Sequence, residues 1–167
     1  MNIHILQADY RKPDQAEAIL QLMNHYALDP MGGGQPLSPE AQDGLIQALV
    51  ARPYALTLLA FDDDTAVGLL NAFESFSTFA CKPLINIHDL VITREYRGLG
   101  ISHRLLQALQ QIAIGRGCCK LTLEVLSDNF TAKAAYQEFG FQPYQLSAET
   151  GQAEFWQKDC NTHHVMR

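Results

Sequence analysis

The sequence predicts one α/β domain over residues 1–160, a mixed central sheet of about seven strands flanked by about four helices. Three observations predict it. Apolar, β-branched runs of strand length and segments with helically spaced apolar residues follow one another as β-α-α-β-β-β-α-β-α-β-β. The length, 167 residues, suits a single domain with a real core. At the centre a short apolar run, Ile87 to Ile92, passes through glycines 98 and 100 into a helical pattern that ends near Ile114.

The elements follow in order. Ile3 to Ala8 reads as a first strand. Pro13-Asp14 opens a helix whose apolar face is Ile19, Leu20, Leu22, Met23 and Tyr26. Asp29-Pro30-Met31-Gly32-Gly33-Gly34-Gln35-Pro36 reads as a flexible loop, either a lid or an ordinary surface connection. Ser38-Pro39-Glu40 starts a helix with an N-cap, a proline at its first position and an early acid, and that helix stops before Pro53. Tyr54 to Phe61 and Ala66 to Phe76 form two strands around an Asp62–Thr65 turn, with a bulge suggested at Gly68. Leu84 to Ile92 is the next strand, and the central helix runs from Ile101 to Gly115. Cys119 to Leu126 alternates and reads as a strand. A helix capped by Ser127, Asp128 or Asn129 runs to Glu138 and closes at Gly140. Phe141 to Leu146 and Ala153 to Lys158 read as a final antiparallel pair, and Asn161 to Arg167 as a frayed tail.

Composition narrows the function. A net charge of −6 argues against nucleic acid as the principal ligand and leans toward cationic acceptors. No apolar run approaches the ~20 residues of a membrane span. Cysteines 81, 118, 119 and 160 show no disulfide or metal framework, and Met1-Asn2-Ile3-His4 does not begin a secretory signal. A cytoplasmic protein is expected.

The glycine turn carries the first chemistry. Unpaired N–H groups at a helix N-terminus attract anions, and Gly98 and Gly100 let the backbone approach phosphate without Cβ interference. It is not a nucleotide P-loop, which needs Lys then Ser or Thr. It also fails the dinucleotide pattern, because His103 stands where the third glycine belongs.

The turn Arg97-Gly98-Leu99-Gly100-Ile101-Ser102 resembles the Arg/Gln-x-x-Gly-x-Gly/Ala signature of the Gcn5-related N-acetyltransferase (GNAT) superfamily, with Ser102 in the last small-residue place. Downstream, Leu123-Glu124-Val125, Asn129-x-x-Ala132-x-x-x-Tyr136 and Phe139-Gly140-Phe141 resemble the family's last βα unit. The resemblance implies a GNAT-type mixed sheet, acetyl-CoA as cofactor and acetyl transfer to a primary amine. It also implies that Leu90, Val91 and Ile92 receive the pantetheine arm as another strand, the outer two by backbone pairing. Arg97 through His103 would hold the diphosphate, with Asn129 and Lys133 as lesser contacts.

Acetyl transfer needs a deprotonated amine, an oxyanion donor and a proton for the leaving thiolate. Removing the proton of an amine of pKa ~10.4 at pH 7 costs roughly 4–5 kcal/mol, so a base, a desolvated pocket or both are expected. Glu124 is the first candidate base. Alternation of Leu121, Leu123 and Val125 turns it to the opposite face, and it stands twelve residues before Tyr136, the spacing of some relatives that acetylate protein N-termini. A partly exposed strand residue that only positions the amine is the other reading. His88 competes as base or water-holder, because Ile-His-Asp-Leu resembles the Ile-Glu-Asp-Ile of glucosamine-phosphate acetyltransferases; a histidine hydrogen-bonded within the sheet is its alternative. Asp89 is expected to anchor the neighbouring loop or touch substrate. By the resemblance, Tyr136 is the general acid toward the coenzyme A sulfur; by spacing alone it could equally be a core aromatic. Tyr26, Met31, Glu74 and Phe76 are the candidate acceptor lining.

The expected activity is acetyl-CoA-dependent N-acetylation of a small-molecule primary amine by direct transfer in a ternary complex, with no metal. A protein N-terminal or lysine acetyltransferase and a non-catalytic acyl-CoA sensor are the alternatives, and a homodimer stays open. Titration calorimetry with coenzyme A is the direct check on the turn: a binding heat is expected, and its absence would remove the basis for every catalytic assignment.

Overall fold

A computed structural model describes residues 1–160. The expected tail, 161–167, lies outside the described residues. Nine elements follow in order: β1 (Ile3–Gln7), α1 (Pro13–Leu28), α2 (Pro39–Val50), β2 (Ala55–Asp62), β3 (Thr65–Ser77), β4 (Lys82–Ile92), α3 (Ile101–Gly115), β5 (Leu121–Leu123) and α4 (Phe130–Phe139). The strands form one sheet in sequence order, antiparallel from β1 to β4 and parallel between β4 and β5.

Two apolar layers sandwich that sheet. On one face Ile101, Leu105, Leu106 and Leu109 of α3 pack on Leu56, Leu58, Leu70, Ile85 and Ile87. On the other, Ala18, Ile19 and Leu22 of α1 and Leu49 of α2 pack on Leu59, Leu69 and Val91. Burying such a side chain contributes about 1.5–3 kcal/mol, so these two stripes hold the helices in place. The caps act as their sequences dictate. The Ser38 hydroxyl accepts from Ala41 N–H, the Asn129 side chain accepts from Ala132 N–H, and Gly140 ends α4 in the left-handed conformation at φ 108.

Among the described residues five strands form, not about seven. β5 is only Leu121–Leu123 because its partner leaves: the last pair is Ile87 with Leu123. Beyond it, residues 124–126 keep an alternating pattern but pair with no strand. The predicted final pair meets at a single bridge, Gln145 with Gln152, and Tyr144, Leu146, Phe155 and Trp156 remain 58–83% exposed. Alternation makes a strand only where a neighbouring edge and a covering face exist.

Two bulges shape β3 and β4. Gly68 faces Ala60 while Ala66 faces Phe61, leaving Val67 extra beside the glycine. A Cβ on Gly68 would come within 2.9 Å of Ile92 Cδ1 and 3.3 Å of Ala60 Cβ, so a side chain here would require the Ile92 tip to shift. In β4, Asp89 faces Asn71 and Ile87 faces Ala72, so His88 is the extra residue.

The glycine-rich connector between α1 and α2 is more ordered than a flexible loop. Asp29 accepts from Met31 N–H at 3.0 Å and opens a 3-10 turn over Pro30–Gly32. Gly32 packs so closely that a Cβ there would collide with the backbone carbonyl of Tyr26. Gly32→Ala is therefore expected to lower stability by about 1–3 kcal/mol through overpacking. The measurement is the urea midpoint, which falls at unchanged slope.

Candidate functional site

The end of β4 leads through a short turn, Arg94–Tyr96, to Gly98 and Gly100, both left-handed at φ 77 and φ 76. Gly100 is the N-cap of α3 and supplies no side-chain cap, and the first turn of α3 holds no acid. The first helical bond is Arg104 N–H to Gly100 at 3.2 Å, which leaves the N–H groups of Ile101, Ser102 and His103 without intrahelical partners. No heavy atom lies within 4 Å of a Cβ built on either glycine. The turn therefore presents free amides at the positive end of a helix to open space. Arg97 braces it from both sides. Its Nε donates to the carbonyl of Ile92 at 3.1 Å and its guanidinium to Asp29 at 2.8 Å. That ion pair holds the Asp29 carboxyl below the usual carboxylate range, helped by Met31 N–H.

The second component is the open edge of β4. Thr93 N–H donates to Val67 C=O at 2.9 Å, so alternation turns the backbone of Val91 toward β3 and that of Leu90 and Ile92 away from it. Past Ile87 no β5 residue pairs with that edge. Val91 departs from its expected role here: its side chain is buried beneath α1 and its backbone faces inward.

The bulge supplies the third. Ile87 packs toward α3, and alternation alone would put His88 and Asp89 on opposite faces. The extra residue brings both to the α1 side. His88 meets Phe73 edge-on with ring centroids 5.5 Å apart, and Asp89 accepts from Asn71 at 3.0 Å. Glu124 shares this face, accepting from Asn86 Nδ2 at 3.3 Å just beyond β5.

Tyr136 approaches from the opposite layer. It packs with Phe139 and Phe141 on the α3 and α4 side, yet it lies near enough to Tyr26, on the α1 side, to feel that phenol electrostatically. Burial foremost, and Tyr26 second, push the Tyr136 hydroxyl up to about 12. The Tyr26 hydroxyl is raised by burial and then by the nearby charges of Asp89 and Asp29.

Other expected residues stand elsewhere. Glu74 lies beside α3, bonded to Arg116 at 2.9 Å, and Phe76, on the same face, is exposed further along β3; neither joins the Tyr26 group. Met31 is exposed in the connector. Asn129 spends its oxygen on the α4 cap, Lys133 donates to the Ser127 carbonyl, and the exposed His103 ring meets Phe139 edge-on. Arg104 and Arg116 are not simply solvated: Arg104 donates to the Ile3 carbonyl and Arg116 to Glu74. Asp29, Asn71, Phe73 and Asn86 were missed. Asn71 and Asn86 had one signal, a lone amide inside an apolar strand run, which demands a buried partner.

The model of the acetyltransferase (GNAT) family matches residues 19–141. The chain belongs to the GNAT acetyltransferase family. A thialysine N-epsilon-acetyltransferase of Bos taurus is 33% identical over 70 residues, 42% of this chain and 41% of that protein. This match thus spans less than half of the bovine protein. An aminoglycoside N(6')-acetyltransferase type 1 of Acinetobacter haemolyticus is 27% identical over 97 residues, 56% of this chain and 67% of that protein. Among solved structures, AAC(6')-Iy in complex with the bisubstrate analogue CoA-S-monomethyl-acetylneamine matches with a TM-score of 0.73 at 18% identity, over 96% of this chain and 100% of that one. At that identity the likeness speaks for the GNAT fold alone. Among the described residues no helix is long and apolar enough to cross a membrane.

The raised Tyr136 pKa has a measurable consequence. An unfolded phenol ionises near 10.0 and this one near about 12, so the folded state holds its proton longer. The stabilisation is complete below pH 10 and fades as pH rises through 12. Urea midpoints across that window are expected to fall less steeply in Tyr136→Phe than in the wild type.

Proposed function

We propose that this GNAT protein is an acetyl-CoA-dependent N-acetyltransferase that acetylates a primary amine of a small molecule by direct transfer in a ternary complex. One observation carries the reading: the uncapped amides of α3 follow directly on the end of β4, whose outer edge no β5 residue pairs past Ile87. The donor set fits the cofactor. Free N–H groups and left-handed glycines suit a diphosphate, and an unpaired strand edge suits an amide-bearing arm. Gly98 through His103 would hold the phosphates, with Arg97 bracing the turn. Leu90 and Ile92 would pair with the arm, and Ser102 adds a hydroxyl. Bound there, acetyl-CoA supplies an activated thioester carbonyl.

The chain's own residues do the rest. A strand N–H of β4 donates where negative charge develops on the carbonyl oxygen. Tyr136, partly buried and protonated throughout the neutral range, donates its phenolic proton to the departing sulfur. Glu124 and His88, both on the α1 side, are the groups available to take the amine proton, directly or through water. Tyr26 and Asp89 line the acceptor side. The names of the matched relatives, a thialysine and an aminoglycoside acetyltransferase, agree with a small cationic acceptor. A net charge of −6 agrees as well. Four free cysteines suit a cytoplasmic site of action.

The test is thiol release from acetyl-CoA with a panel of primary amines; no turnover with any of them defeats the reading. Tyr136→Phe is expected to lower kcat by about 10²-fold, within the range of a positioned acid. Of Glu124→Gln and His88→Gln, the variant that abolishes the acid limb of the pH–rate profile identifies the base.

A further inference from the structure

A buried polar chain runs beneath α1 that the reaction as described does not use. Tyr10 OH lies 3.0 Å from Thr57 Oγ1, Thr57 donates to Asn71 Oδ1 at 2.6 Å, and Asn71 Nδ2 donates to Asp89 Oδ2 at 3.0 Å. Thr57 and Asn71 are 0% and 4% exposed. Because the Thr57 proton is directed at Asn71, Tyr10 must be the donor to Thr57, so every dipole along the chain points at Asp89. The Asn71 amide cannot turn over, since reversal would set its oxygen against a carboxylate and its N–H₂ against the Thr57 proton. Its second amide proton goes to Met23 Sδ at 3.2 Å. One carboxylate oxygen of Asp89 is thus fixed by a satisfied network. The other has no hydrogen-bond partner among the described residues, on the face it shares with Tyr26 and His88.

We propose that Asn71, backed by Thr57 and Tyr10, is a positioning residue that aims Asp89 at a second ammonium group of the acceptor, which makes the acceptor a diamine or related polycation. This rests on the amine-acetylation reading above. A carboxylate gripping the reacting nitrogen would hold its proton on and oppose attack. A carboxylate locked as an acceptor suits a positive charge that persists through the reaction. Three of the four linked residues, Tyr10, Thr57 and Asn71, lie away from the reacting atoms, so the chain sets which amine binds and not how fast it reacts.

Steady-state kinetics with 1,4-diaminobutane and with 1-aminobutane, of equal chain length, separate the possibilities. In the wild type the diamine is expected to have a KM lower by about tenfold or more, the scale of one charge-assisted contact. Thr57→Val and Asn71→Ala are expected to raise the diamine KM about tenfold while kcat and the acetyl-CoA KM move less than about twofold, and Thr57→Ser restores the diamine KM. No diamine preference in the wild type, or a loss falling on kcat or equally on both amines, overturns the proposal. If Asn71→Ala fails to fold, the Thr57 pair decides, together with Asp89→Asn. The latter is read by thermal shift with 1,4-diaminobutane, which needs no turnover. A Tm rise in the wild type that disappears in Asp89→Asn supports the proposal, and a rise that survives defeats it. Absence of turnover with every amine would defeat the acetylation reading instead, so the two failures are distinguishable.

Discussion

The parting of β4 from β5 after Ile87 and Leu123 is the constraint on which the site depends. A strand edge with unpaired amides is a template for pairing, so the edge left open at Leu90 and at the Ile92 N–H is a place for a strand-like ligand. The cause is local. One extra residue, His88, bends β4 away from a partner that is only three residues long. The same extra residue turns His88 and Asp89 to one face, where they meet Phe73 and Asn71.

The electrostatics of the two sides are opposite. Toward α3 the gap is lined by uncapped amides and the positive end of a helix. Toward α1 stand Asp29, Asp89 and the phenol of Tyr26, whose hydroxyl burial and those two charges raise. Arg97 stands between them, bonding the Ile92 carbonyl and Asp29. With its side chain half exposed, this ion pair adds about 1 kcal/mol or less to stability. Its greater effect is geometric, because it ties the α1–α2 connector to the glycine turn and so keeps Tyr26 beside the gap.

Much of this was legible before any coordinates. The starts of α1 and α2 and the end of α4 at Gly140 follow from preferences acting within four residues and appear where the sequence puts them, and the α4 cap falls on Asn129, one of its three candidates. The two final strands read from the sequence do not form, because the segment has the alternation of a hairpin but joins its two halves only at the Gln145–Gln152 bridge and leaves Tyr144 and Trp156 exposed. Nor was the acceptor lining legible. Glu74 and Phe76 share a strand with Phe73 and Asn71 but lie on the opposite face, and the register at the bulge decides which pair meets Asp89 and His88.

By itself the sequence determined what is local: a glycine turn uncapped at a helix start, the polarity of each strand face, and motifs sufficient to identify the GNAT family. Tertiary structure alone decided that His88 and Asp89 share a face, that Tyr136 packs beside Phe141, and that Asn71 donates to Asp89. The physical reason is range. Turn and cap preferences are set by a residue's own backbone and near neighbours, whereas a bulge and a splayed edge depend on where a distant partner strand begins and ends.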